Sequence, residues 1–393
     1  MAHRSVGSDR DGRREKPTMI AKLKRLLQEA PIEMNRVLRG WYPDFVTSSR
    51  ASALGRQVPV FMFHSDPKEV VAEQLAYLAD NGYRSLRLSE FMAFLSGELD
   101  LKTPSVVLSW DDGDRSWFCD VYPLLKRFGF SGTGFVVTSR IVEKASSGEG
   151  SGWLSWEEVR QMDAEGVMDI HSHAHLHNRV FVTDRLVDFF RPEMDINPLH
   201  LDLPWVSQDG RLRMIDSPGA PLFDTASALS DLPMFLDNEQ VRTVCIDWTT
   251  QNSRSMPAGD IGRRLRYVYR EASSRFGKGR FESLAEQRQR IACDLAESRK
   301  TLADRLGKRS DFLCLPYGEG GRTVVETAMQ QQWQGMFWVC RPDRRTNRPG
   351  DSPWFIPRLK NDYIFRLPGR GRKSLPEIWS AKWRRRMARN HIY

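Results

Sequence analysis

The run Ser105-Val-Val-Leu-Ser-Trp-Asp-Asp-Gly113 constrains the chain more than any other stretch. A short, valine-rich apolar segment reads as a buried strand, and this one ends abruptly in two carboxylates and a glycine. Adjacent residues of a regular strand face opposite sides. At a strand end, with Gly113 free to turn tightly, Asp111 and Asp112 can approach one reacting centre from different directions. One could hold a metal while the other takes a proton. Taken alone, the same residues also describe a strand followed by an ordinary Asp-Gly turn.

The surroundings repeat a strand-helix rhythm. Val58 to His64 reads as a strand, Pro67 to Gly82 as a helix, Tyr83 to Leu88 as a strand, and Ser89 as the cap of a helix through Phe94. After the Asp-Asp strand come a helix stopping at Gly129, a strand over Gly132 to Val137, and a helix opened by the capping box Ser155…Glu158. Val167 to His171 is the next strand. Repeated β-α units predict a parallel sheet, open or closed into a barrel, with function at the C-terminal strand ends.

From about Thr183 to Gly279 that rhythm is lost among prolines and aromatics, and the stretch reads as an insertion with its own short strand at Val244 to Asp247. The rhythm returns with an amphipathic helix from Phe281 to Gly307. Strands follow at Asp311 to Gly318, Met336 to Cys340 and Trp354 to Leu359. The expected organisation is a polar leader at 1–17, a helical segment at 18–57, the α/β body at 58–365 with its insertion at about 184–280, and a tail at 366–393.

That tail holds nine Lys/Arg against one Glu, so it carries +8 of the net +9 and leaves a near-neutral body. Such a body argues against nucleic-acid binding. Trp379, Trp383 and Met387 share one helical face among basic residues, which suits either docking on the body or peripheral contact with an anionic membrane. Five scattered cysteines lack C-x-x-C spacing and read as reduced thiols. No apolar run approaches a transmembrane length, and the leader has no apolar signal core. A cytoplasmic location is expected, peripheral to the inner membrane face if the tail makes that contact.

Four of the eight histidines fall at 171, 173, 175 and 177, closing an apolar strand. Alternate residues share a face, so the run could be a plain imidazole stripe. Its placement beside the Asp pair argues instead for Asp/His₂ coordination with positions open to water, as a catalytic metal requires. Zinc suits that donor set best, with cobalt, nickel or iron as alternatives.

Two families share such words. Met168-Asp-Ile-His-Ser-His resembles the strand-end His-x-His of metal-dependent amidohydrolase barrels. Those need further histidines on later strands, and after His177 only His200 and His391 remain. The fuller match is to the polysaccharide deacetylase family (the NodB homology domain, carbohydrate esterase family 4). Ser109-Trp-Asp-Asp-Gly113 resembles its Thr-Phe-Asp-Asp-Gly motif, Asp169-Ile-His-Ser-His-Ala-His-Leu-His177 its histidine motif, and Pro316-Tyr-Gly318 its Pro-Tyr-Gly motif.

The resemblance implies a distorted β/α barrel of NodB type with helical N- and C-terminal extensions. It implies Asp111 as catalytic base, Asp112, His173 and His177 as metal ligands, and the Tyr317 backbone N–H as an oxyanion donor. The pair His171/His175 satisfies the spacing equally well. The family's third motif begins with Arg, where this chain has Cys314. No motif supplying a general acid is evident, and His64 is the candidate to line the pocket. The expected activity is metal-dependent removal of an acyl group, N-acetyl foremost, from a sugar or glycan, a lipid-linked one included. The rival is a carbohydrate-binding or scaffold protein that keeps the fold without the chemistry.

Overall fold

Eight parallel strands organise the body. They are β1 (Val60–Phe63), β2 (Arg84–Ser85), β3 (Ser105–Asp112), β4 (Gly132–Val136), β5 (Met168–Ser172), β12 (Phe312–Cys314), β13 (Gly335–Val339) and β14 (Ile356–Lys360); β6 to β11, introduced below, lie between β5 and β12. The order β1-β14-β13-β12-β5-β4-β3 closes on itself because β1 also pairs with β3, Val60 opposite Val107 and Phe63 opposite Trp110. The result is a closed seven-stranded parallel barrel, with β2 lying outside the ring against the start of β3. The computed structural model describes residues 34–51, 53–145, 152–194, 202–253 and 258–388. The leader, residues 18–33 of the expected N-terminal helical segment, His200 and His391 lie outside them.

Strand alternation sorts the side chains between two cores. Val106, Leu108 and Trp110 point outward into a cluster with Phe61, Phe63 and Ile170 beneath the surrounding helices. Val60, Val107, Phe135, Phe312, Phe337 and Ile356 point inward and fill the barrel. The helix Leu88–Ser96 plugs its lower end with Leu88, Phe91, Phe94 and Leu95. Each such side chain, fully buried, contributes on the order of 1.5–3 kcal/mol. The apolar filling stops one layer short of the top, and the inward positions above it are Ser109, Asp111, His173, Cys314 and Arg358, all buried.

Several boundaries differ from the sequence expectation. The strand expected at Tyr83 to Leu88 shrinks to Arg84–Ser85. The helix after it starts at Leu88, because Glu90 accepts from the Arg87 N–H at 3.0 Å and Ser89 lies inside the first turn. The capping box at Ser155 forms, with Glu158 accepting from the Ser155 N–H at 2.8 Å.

The stretch after His177, expected to be irregular, holds a four-stranded sheet in the order β8-β7-β6-β9. These strands are β6 (Arg179–Phe189), β7 (Pro204–Gln208), β8 (Arg211–Met214) and β9 (Pro221–Ser227). A hairpin of β10 (Phe235–Asp237) and β11 (Gly279–Phe281) and two helices, Glu239–Asn252 and Ala258–Phe276, pack with it. The strand expected at Val244 to Asp247 is therefore wrong. Asn238 caps a helix there by accepting from the N–H groups of Gln240 and Val241, and Val241, Cys245 and Thr249 recur every fourth residue on its buried face.

The basic C-terminal helix Leu375–Ala388 docks on the body. Ile378 is buried, and Lys382 (3.3 Å) and Arg385 both pair with the buried Asp362. Arg366 and Arg372 donate to main-chain oxygens between Phe45 and Ser49, so several of the tail's cations are spent on internal contacts. No described helix is long and apolar enough to cross a membrane.

Candidate active site

The upper mouth of the barrel gathers Asp111 and Asp112 from β3, the loop after β5, and the ends of β12 and β14. Asp111 follows the inward alternation. Asp112 would face outward on a regular strand, but it adopts a left-handed φ of 85° that returns its carboxylate to the mouth. Gly113 continues the turn at φ 96°, where a Cβ would stand 2.8 Å from Ile141 Cδ1. Ala174 (φ 68°), His177 (φ 48°) and Tyr317 (φ 60°) share the left-handed region. Among the described residues, four of the six non-glycine residues with positive φ thus line this one site, and local strain of this kind persists only where the surroundings over-determine it.

His173 Nε2 lies 3.4 Å and His177 Nε2 3.5 Å from Asp112 Oδ1, and all three residues are buried. His173 donates its Nδ1–H to the Cys314 carbonyl at 2.9 Å, which orients the ring with Nε2 toward the centre. Asp112 Oδ2 is buried with no hydrogen-bond partner. Burial pushes the His177 imidazole down, to about 3, with the neighbouring His173 adding to the effect. Burial opposes charge on His173 too, but Cys314, Asp111 and Asp112 outweigh it and hold that imidazole up; a divalent cation would take the place of its proton, beside the orphaned Asp112 oxygen and the neutral His177, and zinc takes such donors.

The alternative pair points elsewhere. His171 sits one layer down inside the barrel, edge-on to Phe312 and 3.1 Å from Asp169. His175 faces Thr138 Oγ1 at 3.0 Å.

Asp111, Cys314 and His173 also form a close cluster, but a cation already occupies it. Arg358 of β14 donates Nη1 and Nη2 to the two Asp111 oxygens at 2.7 Å each. Burial alone would raise the Asp111 carboxyl, yet the Arg358 guanidinium outweighs it and holds the group well below the usual carboxylate range. The Cys314 thiol adds contacts of 3.6 and 3.7 Å to the same oxygens, and burial pushes its pKa up, so it stays a thiol. His64, closing β1, brings Nε2 to 3.8 Å from Asp111 Oδ2. Tyr317 lays its ring 4.6 Å from that of His177, with the Arg179 guanidinium 4.7 Å over its other side.

Three contributors escaped sequence reasoning. Arg358 could have been found as a charge on the strand face that Ile356 opens. Asp294, on the helix Leu284–Leu306, accepts from the N–H groups of His175 (2.9 Å) and Leu176 (3.1 Å) and so holds the turn between the two inward imidazoles. Ser298, one helical turn on, meets Ser172 at 2.6 Å. Both sit on the helix face that carries Ile291 and Leu295, where polar residues in an apolar stripe were the available signal.

A parallel barrel with a buried Asp/His₂ pocket and an arginine-clamped carboxylate beside it has the architecture of the NodB-type hydrolase barrels. The family model "Polysaccharide deacetylase" matches residues 98–194 of this chain. Among curated relatives, YxkH of Bacillus subtilis (strain 168) is 28% identical over 125 residues, 30% of this chain and 42% of that protein. The poly-beta-1,6-N-acetyl-D-glucosamine N-deacetylase of Escherichia coli (strain K12) is 26% identical over 119 residues, 28% of this chain and 18% of that one. The enzyme of the same name from Staphylococcus aureus (strain N315) is 28% identical over 107 residues, 27% and 36% of the two chains. The matches thus span less than half of each relative's length. Among solved structures, the de-N-acetylase of Aggregatibacter actinomycetemcomitans is 17% identical with TM-score 0.50, covering 78% of this chain and 95% of that one. The BpsB deacetylase domain of Bordetella bronchiseptica is 16% identical with TM-score 0.50, covering 79% and 98%. Both share the fold.

Proposed function

We propose that the protein is a metal-dependent deacetylase that hydrolyses an N-acetyl group on a glycan. The observation that carries this reading is the adjacency, at one barrel mouth, of a three-ligand pocket (Asp112, His173, His177) and a second carboxylate, Asp111, barred from ligation by Arg358. The relatives named for poly-N-acetylglucosamine deacetylation support the choice of an N-acetylated sugar.

A divalent metal held by Asp112, His173 and His177, zinc by preference for these donors, would polarise the acyl carbonyl and acidify water there. Asp111 takes one proton from the water that attacks the acyl carbon. Arg358 makes the Asp111 carboxylate a weak base, which would suffice for water that a metal held by Asp112, His173 and His177 would acidify. Arg358 also fixes both oxygens, so the base meets that water in one orientation. The backbone N–H of Tyr317, in the left-handed turn Pro316–Gly318, donates to the oxyanion of the tetrahedral intermediate. His64, beside Asp111 and facing the mouth, gives a proton to the leaving nitrogen as the C–N bond breaks. Acetate and a free amine leave.

The test is acetate release from N-acetylglucosamine oligomers by purified, zinc-loaded protein, with Asp111→Asn alongside. Turnover should fall at least about 10³-fold in the variant while bound metal stays stoichiometric. Metal retention without any turnover in the wild type, on every oligomer tried, would favour the carbohydrate-binding alternative.

A further inference from the structure

Arg140 lies on the catalytic face, in the turn that follows β4. Its neighbours tie that turn to the histidine loop, with the Thr138 and Ser139 N–H groups donating to the carbonyls of Ala174 (3.3 Å) and His175 (3.1 Å). Two indoles flank the guanidinium. Its central carbon is 5.8 Å from the ring centre of Trp153 and 5.6 Å from that of Trp205. Trp153 bridges to Asp114, two residues beyond Asp112, and Trp205 comes from β7.

Nε and Nη2 of Arg140 are buried with no hydrogen-bond partner, and so is the indole Nε1 of Trp205. Among the described residues no carboxylate pairs with this guanidinium. Burial works against its charge, and the partly opposing influence comes from Tyr317, whose ring covers His177. Three unmet donors thus meet beside the catalytic centre, one pair of them on a full cation. A buried donor left unpaired costs about 1–3 kcal/mol, and an uncompensated charge costs more. A sugar hydroxyl would satisfy the hydrogen bonds but not the charge. A carboxylate or phosphate satisfies both, and its planar or forked oxygens match a guanidinium edge.

We propose that Arg140 and the Trp205 indole N–H form an anion subsite, so that the glycan processed here carries an acidic group, a carboxylate or a phosphate, on a unit neighbouring the acetylated sugar. This rests on the deacetylase reading for its substrate class, while the subsite itself is a binding site testable without turnover. The flanking indole faces would carry the sugar rings on either side of the charge.

The experiment compares three tetrasaccharides: neutral N-acetylglucosamine, N-acetylglucosamine alternating with glucuronic acid, and N-acetylglucosamine bearing a phosphate ester. Calorimetric binding and acetate release are measured for wild type, Arg140→Gln, Arg140→Lys and Trp205→Phe. Wild type should bind an acidic oligomer at least about tenfold more tightly than the neutral one, and whichever acidic arm binds better identifies the group. Arg140→Gln should abolish that preference through KM while leaving neutral binding and kcat unchanged. Arg140→Lys should keep part of it, and Trp205→Phe should lose roughly threefold. Equal wild-type binding of all three oligomers, or an equal loss on all three in Arg140→Gln, overturns the subsite. If no oligomer releases acetate, the deacetylase reading fails, and the calorimetric comparison still decides the subsite.

Discussion

Arg358 and Asp111 meet fork to fork across the top of the barrel, with two N–H···O contacts of 2.7 Å between strands separated in the ring by β1. The related family motif carries its arginine at the position this chain gives to Cys314. Here the guanidinium arrives from β14 instead, and the small thiol leaves room for it. A guanidinium thus clamps Asp111 from a different residue of the same layer.

Substituting Arg358 should therefore change the pH dependence of the reaction. Removal of the guanidinium leaves burial as the dominant influence on Asp111, which raises its pKa and moves the acidic limb of the kcat/KM profile to higher pH. Arg358→Lys, which keeps charge but loses the fork, should fall between wild type and Arg358→Gln. Truncating one member of a buried pair costs about 3–5 kcal/mol, so Arg358→Gln should also melt at lower temperature. The sign with pH follows from linkage. The folded pKa of Asp111 lies below its unfolded value, about 3.9, so the stabilisation is complete above about pH 4 and is lost as pH falls through the folded value. Denaturation profiles of wild type and variant should converge only in that acid range.

The barrel was legible from its strand-helix rhythm because alternating apolar faces and glycine-terminated helices are local signals. The convergence of Asp111, Asp112 and the histidine run was legible as a set of motifs, although spacing left His171/His175 and His173/His177 equivalent. What separates them is the inward stacking of β5, which places His171 among Phe135 and Phe312 and lifts His173 to the open layer. Arg358 showed only as a charge on a strand face, and its pairing with Asp111 was not legible because the two lie 247 positions apart. The sheet after His177 was missed because prolines and turns interrupt the stretch, and its core of Phe181, Phe223 and Phe235 assembles only in three dimensions.

Metal removal should be visible in stability as well as in turnover. The Asp112 carboxylate and the two imidazoles converge with no lysine or arginine of the described residues paired to Asp112, so a bound metal would add its binding free energy to folding. Dialysis against a strong chelator should lower the melting temperature and reduce acetate release at least about 100-fold, with zinc or cobalt restoring both. Asp112→Ala should behave like the chelated protein and fail to respond to added metal.

Gly113→Ala should damage the site beyond its cost in stability. The residue has φ 96°, and the new methyl group would stand 2.8 Å from Ile141 Cδ1. Strain at such a φ costs on the order of 1–3 kcal/mol, which lowers the melting temperature by several degrees. The relief available is a rotation of the 112–113 peptide, and that rotation withdraws Asp112 from the histidines. Metal affinity should therefore fall by more than about tenfold, measured by chelator competition at a temperature where the variant is fully folded.

Asp294 offers the cleanest separation of positioning from folding. The residue is half-buried, desolvation of its carboxyl pushes the pKa up, and its two oxygens accept from consecutive N–H groups at His175 and Leu176. Those residues bridge His173 to His177 through a turn that already contains Ala174 at φ 68°. Asp294→Asn keeps the volume and one carbonyl oxygen, so the helix Leu284–Leu306 should pack as before, with its buried Ile291, Leu295 and Leu302 undisturbed. The second N–H instead faces an amide NH₂, a donor against a donor, and the turn loosens. Metal affinity should drop about 10–100-fold, while the KM for an N-acetylated oligomer, measured with metal in excess, stays near that of wild type. Asp294→Glu should recover less affinity than the aspartate, because the longer arm displaces both acceptors. A loss of stability in Asp294→Asn with metal affinity unchanged would place the residue in the helix's packing alone.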